Sequence, residues 1–326
     1  MRLLYSCCIT CFQPYNLNKT CYLIKIVSGG YANLLLTKME SSYLIKELLE
    51  KGHTVRTTVR DPENVEKVSY LWELKGAKER LKIMKANLLL EGSFDQAIQG
   101  VDGVFHTASP VLVPYDDNIK ACETNKYEQQ ECCNILNFFL SLLQETLVDP
   151  CINGTLNVLR SCNKSGSRLK RVVLTSSCSA IRYRYDAEEI SPMNESHWTD
   201  PDYCQRYNLW YAYAKTVAEQ DAWKLVEENG IDLVVVNPSF IVGPLLAAQP
   251  TSTLLMILAI IDGALGEFPN TRLGFVHIDD VVAAHMLAME EKRASGRLIC
   301  SNSVAHWSEI IEMLRTKYPN YSYANK

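Results

Sequence analysis

The sequence predicts an α/β protein built on a doubly wound parallel sheet, with a small C-terminal lobe. Three observations predict it. From Tyr43 onward, β-branched runs alternate with amphipathic runs at helical spacing, the pattern of repeated strand–helix–strand units. Some strand-like runs are apolar throughout, as in "DLVVVNP" (232–238), which suits a sheet covered on both faces. The chain's 326 residues are also enough to bury a large core.

Taken in order, "YLIKELLEK" places apolar residues at 44, 45, 48 and 49 and stops at Gly52, which predicts an amphipathic helix. "HTVRTTV" (53–59) is β-branched and predicts a strand. "LKIMKA" (81–86) and "GVFHTA" (103–108) predict two more, with a short helix between them around "GSFDQAIQG". "GTLNVLRSC" (154–162) predicts a helix and "RVVLTSS" (171–177) a buried strand. "LWYAYAKTVAEQDAW" (209–223) opens a long helix running to about Glu228 and stopped by Gly230, before the strand 232–238. "IDDVVAAHMLAMEE" and "SEIIEMLRTKY" are late helices, with Asp279 or Asp280 expected to cap the first.

Two segments break this rhythm. Between His106 and Gly154 lies "KACETNKYEQQECCNILNFFLSLL" (120–143), too long for an ordinary crossover connection and read as an insertion. At the N-terminus, a doubly wound dinucleotide fold needs a strand, a glycine-rich turn and a helix whose N-terminus faces a pyrophosphate. Only "IVSGGYANLLL" (26–36) is available, with Gly29 and Gly30 after an expected strand at Ile24–Val27. Ala32 and Leu35 stand where further glycines belong. The glycine pair therefore reads as part of an irregular N-terminal extension, and the phosphate cradle as damaged.

Composition narrows the function. A formal net charge of −4 leaves no basic footprint for nucleic acid, and the longest apolar run, "LLMILAII" (254–261), is too short to span a bilayer. The 12 cysteines are uneven: Cys7, Cys8, Cys11, Cys21, Cys122, Cys132 and Cys133 fall in the two anomalous segments. They read as incidental thiols of a reducing, cytoplasmic compartment. Scattered histidines lack ligand spacing, so no metal is expected.

Tyr211 and Lys215 stand one helical turn apart. With 17 tyrosines and 19 lysines, chance alone supplies about one such pair, so context must carry the signal. Context does: the preceding strand ends in "TSSCS", and in open α/β sheets ligands bind at the carboxyl ends of strands. A tyrosine is a poor proton-transfer group at neutral pH unless a nearby cation favours its phenolate. Ser177 then stands where a hydroxyl can hold a substrate oxygen. Trp198, Tyr183, Phe240 and Leu245 line either an apolar pocket or the core.

On "TTVRDPENVEKV", "GVFHTASPVLVP", "LKRVVLTSSCSAIR", "NESHWTDPDYC", "WYAYAKTVAEQDAW", "VVNPSFIVGP" and "GFVHIDDVVAAH", the chain resembles the extended short-chain dehydrogenase/reductases. Within them it is similar to the plant cinnamoyl-CoA reductase and dihydroflavonol reductase group. The resemblance runs from Tyr43 to the C-terminus, interrupted by 120–143. It implies a Rossmann-like fold: an atypical segment 1–42, a dinucleotide-binding domain 43–237, and a substrate lobe 238–326 that ends short of the family's length. It implies Ser177, Tyr211 and Lys215 as the catalytic set, with Tyr211 protonating a carbonyl oxygen, Ser177 holding it, and Lys215 lowering the tyrosine's pKa and contacting the nicotinamide ribose. Arg60 and Lys67 would bind the 2′-phosphate of NADPH, Asn87 and Leu88 would lie near the adenine, and Thr107, Ala108, Pro238 and Ser239 would line the cofactor. The implied function is NADPH-dependent reduction of a carbonyl on a small hydrophobic polyketide or phenylpropanoid substrate, with association with other biosynthetic enzymes. An alternative is a relative whose damaged cofactor site impairs catalysis, its segments 1–42 and 120–143 arising from translated non-coding sequence or splicing. A sugar-nucleotide epimerase shares the Ser–Tyr–Lys set but not "NESHWTDPDYC".

Overall fold

The computed structural model describes residues 21–25, 36–110, 141–246, 252–261, 268, 270–321 and 323. Strands β1 (Cys21–Lys25), β2 (Thr54–Val59), β3 (Leu81–Lys85), β4 (Gly103–His106), β5 (Arg171–Thr175), β6 (Leu233–Pro238) and β9 (Gly296–Cys300) form one sheet. Its order is β3-β2-β1-β4-β5-β6-β9 and every pairing is parallel. The order reverses between β1 and β4, so the ligand crevice of this topology lies outside their carboxyl ends.

Period-two alternation sends neighbouring residues to opposite faces. Phe105, Val173, Val234 and Val236 pack on one side with helices α1 (Leu36–Glu50), α2 (Val65–Trp72) and a later helix, α9 (Ile278–Glu290). Val104, Val172, Leu174, Leu233 and Val235 pack on the other with α4 (Asp95–Ile98), α5 (Asp149–Lys164) and α7 (Trp210–Asn229). This explains why "VVV" in β6 needs no polar partner residue: both faces are core. The short α3 (Ala77–Arg80) leads into β3, and α6 (Pro201–Arg206) precedes α7.

The N-terminal segment corrects two expectations. Its described strand, Cys21–Lys25, starts before Ile24, and it is an interior strand of the sheet, registered Tyr22 against Val55 of β2 and against Gly103 of β4. The following helix begins at Leu36 rather than Tyr43. Its upstream turns were illegible as an amphipathic helix because they bury Glu40, Ser41 and Ser42, polar residues where an apolar stripe is expected. Gly29 and Gly30 lie outside the described residues, as does nearly all of the segment read as an insertion.

The C-terminal lobe carries a second sheet ordered β10-β8-β7, from β7 (Phe240–Val242), β8 (Arg272–His277) and β10 (Ser303–His306). Helices α8 (Ser252–Ile261) and α10 (Trp307–Lys317) cover it. Trp307 is fully buried and meets Phe240 and Phe275 edge-on, with ring centroids 5.8 and 6.0 Å away. Phe240 is therefore lobe core, and Leu245 packs against the main core. The cap of α9 is not Asp279 or Asp280: the His277 side chain accepts the Asp279 amide at 3.3 Å, doing the work of a short polar cap.

Candidate active site

β5 ends at Thr175, and the chain leaves the sheet through Ser176 and Ser177. Ser177 is extended, and its hydroxyl caps the 3₁₀ turn Cys178–Ala180 by accepting the Ser179 amide at 3.1 Å. That turn brings the same hydroxyl toward α7, near enough to the Tyr211 phenol to lower its pKa against the effect of burial. Helix α7 approaches closely because its inner face is alanine: Ala214 and Ala218 pack on Leu147, Val148 and Cys151. One turn beyond Tyr211, the buried Lys215 donates its ammonium to the Thr175 carbonyl at 3.1 Å. The structure thus gathers all three residues expected to be catalytic at the carboxyl end of β5.

Burial dominates their electrostatics. Burial pushes Tyr211 above its ordinary value, the Ser177 hydrogen bond opposes this, and Cys151, Glu40 and Tyr183 push further upward. The charge of Lys215 lowers Glu40 and Cys151, each against the effect of burial. Tyr211 accordingly holds its proton at neutral pH and is poised to give it rather than to take one.

The expected cofactor residues fall into two groups. Thr107 and Ala108 are buried just past β4, and the Thr107 hydroxyl lies 2.6 Å from that of Ser41 on α1. Pro238 closes β6, and the next residue, Ser239, donates its amide to Cys300 at 3.0 Å. Arg60 directly follows β2 and Lys67 lies on α2, at the same end of the sheet. Burial lowers the pKa of Arg60. Asn87 and Leu88 behave otherwise. Asn87 folds a turn, its amide donating to Ser93 at 2.7 Å and its side chain accepting from Leu89 at 3.1 Å. Leu88 is core, packed on Gly154 of α5 with its carbonyl held by Asn157 at 2.7 Å.

Two buried hydroxyls, Ser176 Oγ and Ser239 Oγ, have no hydrogen-bond partner among the described residues. Ser176 directly follows β5 and Ser239 directly follows β6, so both sit at strand carboxyl ends. Unsatisfied buried hydroxyls are costly, and a polar ligand satisfies them. With Lys215 they place polar donors and acceptors at the carboxyl ends of β5 and β6, chemistry that suits a hydroxyl-rich ligand such as a dinucleotide. Glu40 on α1 is 5% exposed; burial raises its pKa to about 8, and the charge of Lys215 opposes this. Sequence reading missed it because nothing in "TKMESS" reveals which residues turn inward.

The chain matches a model of the NAD dependent epimerase/dehydratase family over residues 143–299. It is 64% identical to tetraketide alpha-pyrone reductase 2 of Arabidopsis thaliana over 92% of this chain and 84% of that one. It is 44% identical to cinnamoyl-CoA reductase CAD2 of Medicago truncatula over 88% of this chain and 80% of that one. In three dimensions it matches vestitone reductase of alfalfa (Medicago sativa) with a TM-score of 0.70 and 30% identity, covering 94% of this chain and 84% of that one. The chain therefore belongs to the NAD dependent epimerase/dehydratase family, among the extended short-chain dehydrogenase/reductases related to tetraketide α-pyrone and cinnamoyl-CoA reductases.

Proposed function

We propose that the chain is an NADPH-dependent reductase that converts a carbonyl of an apolar polyketide, of the tetraketide α-pyrone type, to an alcohol. The observation that carries this reading is the Ser177–Tyr211 hydroxyl pair at the carboxyl end of β5, with Lys215 anchored beneath it. A bound reduced nicotinamide supplies the hydride. Ser177 orients the carbonyl oxygen by donating a hydrogen bond to it. Tyr211 transfers its phenolic proton to that oxygen as the carbonyl carbon is reduced, so the substrate leaves as an alcohol. Lys215, one turn away, stabilises the resulting phenolate until solvent returns the proton. Arg60, beyond β2, supports preference for a 2′-phosphate over a free ribose hydroxyl. The same reading puts the chain in the cytoplasm: Cys151, Cys162, Cys178, Cys204 and Cys300 are free thiols. No described helix is long and apolar enough to cross a membrane.

The test is turnover of an alkyl tetraketide α-pyrone, with a hydroxycinnamoyl-CoA alongside, followed by loss of reduced nicotinamide absorbance. Turnover of the pyrone with NADPH is expected, and Tyr211→Phe should lower it by ~10²–10⁴-fold. Absence of nicotinamide oxidation with either substrate overturns the reading. Turnover of the CoA ester alone shifts it to the cinnamoyl-CoA type. For Arg60→Ala the expected change is a fall in the preference for NADPH over NADH by about tenfold to a hundredfold.

Glu40 favours a second reading, in which dinucleotide binding weakens as the pH rises through about 8, because the buried Glu40 carboxyl then becomes an anion within the influence of Lys215. Fluorescence titration with NADPH above that pH decides it. Tighter binding by Glu40→Gln than by the unaltered chain supports weakened affinity, and equal binding removes this reading.

A further inference from the structure

Helix α7 carries a third polar residue on the face of Tyr211 and Lys215. Glu219, one further turn along, is 1% exposed. A carboxylate buried to that extent is retained only with partners that replace water. Glu219 has two. Its Oε1 accepts Arg297 Nε at 2.6 Å, and its Oε2 accepts Asn237 Nδ2 at 3.0 Å. Asn237 lies in β6, and the same Nδ2 also donates to the Ser177 carbonyl at 3.1 Å. The backbone of the serine that touches Tyr211 is thus tied, through one amide, to the helix that carries Tyr211.

Arg297, on β9, holds the rest of the serine's loop. Its guanidinium donates to the carbonyl of Ala180 at 3.1 Å and to those of Glu195 and His197 at 3.1 and 2.5 Å. Its plane lies 3.7 Å from the Trp198 ring centroid. The turn after Ser177, the segment reaching Trp198, β6, β9 and α7 therefore meet at one buried ion pair. Replacing such a pair by apolar residues is often neutral or stabilising, so stability alone does not account for it, whereas a requirement for fixed geometry does.

Resting on the reductase reading above, we infer that Glu219, Asn237 and Arg297 are positioning residues that fix the Ser177 hydroxyl against the Tyr211 phenol. They touch no reacting atom and act through the Ser177 backbone. Misplacement by about 1 Å of a group that holds a reacting oxygen costs up to ~10²-fold in rate. The loss belongs in kcat, because substrate and dinucleotide meet other residues.

The experiment is a double-mutant cycle on the full chain, using NADPH and an alkyl tetraketide α-pyrone. Glu219→Gln is expected to lower kcat at least about tenfold, with KM and NADPH affinity within about twofold of the unaltered chain. Ser177→Ala is expected to lower kcat by a comparable factor. The double variant should be no slower than Ser177→Ala alone, because both act through one hydroxyl. Additive losses, or an unchanged kcat in Glu219→Gln, overturn the inference and leave the reductase reading standing. Absence of turnover in the unaltered chain overturns both. Should Glu219→Gln unfold, the paired replacement Glu219→Met with Arg297→Met removes the ion pair without stranding a charge. It should retain the melting temperature while losing kcat, and full kcat in that variant refutes the inference.

Discussion

Glu40 and His285 are both held neutral by the same cause, the loss of water around a charged form, and their effects on stability have opposite signs. Burial raises Glu40 from 4.5 to about 8, so folding takes up a proton between those values. Its contribution to stability is complete below its unfolded value and is lost as the pH rises through about 8. Burial lowers His285 from 6.5 to about 4. Its ring donates from Nδ1 to the Val281 carbonyl and accepts the Thr175 hydroxyl at Nε2, each at 2.7 Å. That contribution is complete above 6.5 and lost as the pH falls through about 4. Melting temperature measured across pH should therefore fall at both ends. Glu40→Gln should flatten the alkaline limb and leave the acid limb in place, and an unchanged alkaline limb would contradict the assignment. At this scale the sequence showed what is local: Tyr211 and Lys215 are one turn apart, and Ser177 sits at a strand end. It concealed Glu219, Asn237 and Arg297, whose contacts join residues far apart in the chain.

Among the elements, α5 and α7 determine how near the phenol comes to the sheet. A side chain on Gly154 would place its Cβ 2.7 Å from Leu88 Cδ2, so α5 sits closer to the β3 turn than any other residue permits. Gly154→Ala is expected to destabilise the fold by about 1–3 kcal/mol through overpacking, read as a shift in denaturation midpoint, and Leu88→Ala in the same chain should recover part of it. Helix α7 enters through Asn208, at φ 54°, a left-handed conformation that asparagine tolerates and β-branched residues do not. Asn208→Val should reduce stability and turnover together, since it reorients the first turn carrying Tyr211. The strands and long helices were legible because apolar periodicity and stops such as Gly230, at φ 65°, are local signals. The start of α1 was not, because its first turns bury hydroxyls and a carboxyl group where an apolar stripe is expected.

For the whole molecule, the sheet and the lobe are joined where β6 runs into β7 and where β9 leads to β10. Trp307 anchors that junction from the lobe side, against Phe240 and Phe275. Trp307→Ala should cost about 3–5 kcal/mol, with hydrogen exchange rising first in β8 and β10 rather than in β4 or β5. Uniform loss of protection would show that lobe and sheet unfold as one unit. By itself the sequence determined the parallel α/β class and the helix bearing Tyr211 and Lys215. It also placed Ser177 at a strand end. Each of these follows from periodicity and spacing within about twenty residues, which local chain geometry dictates. Only the tertiary structure decided that Cys21–Lys25 is an interior strand between β2 and β4, that a buried carboxyl lies within the influence of Lys215, and that Lys215 is anchored on the Thr175 carbonyl. Those outcomes depend on which distant groups share a water-free space, and no local pattern in the chain encodes that.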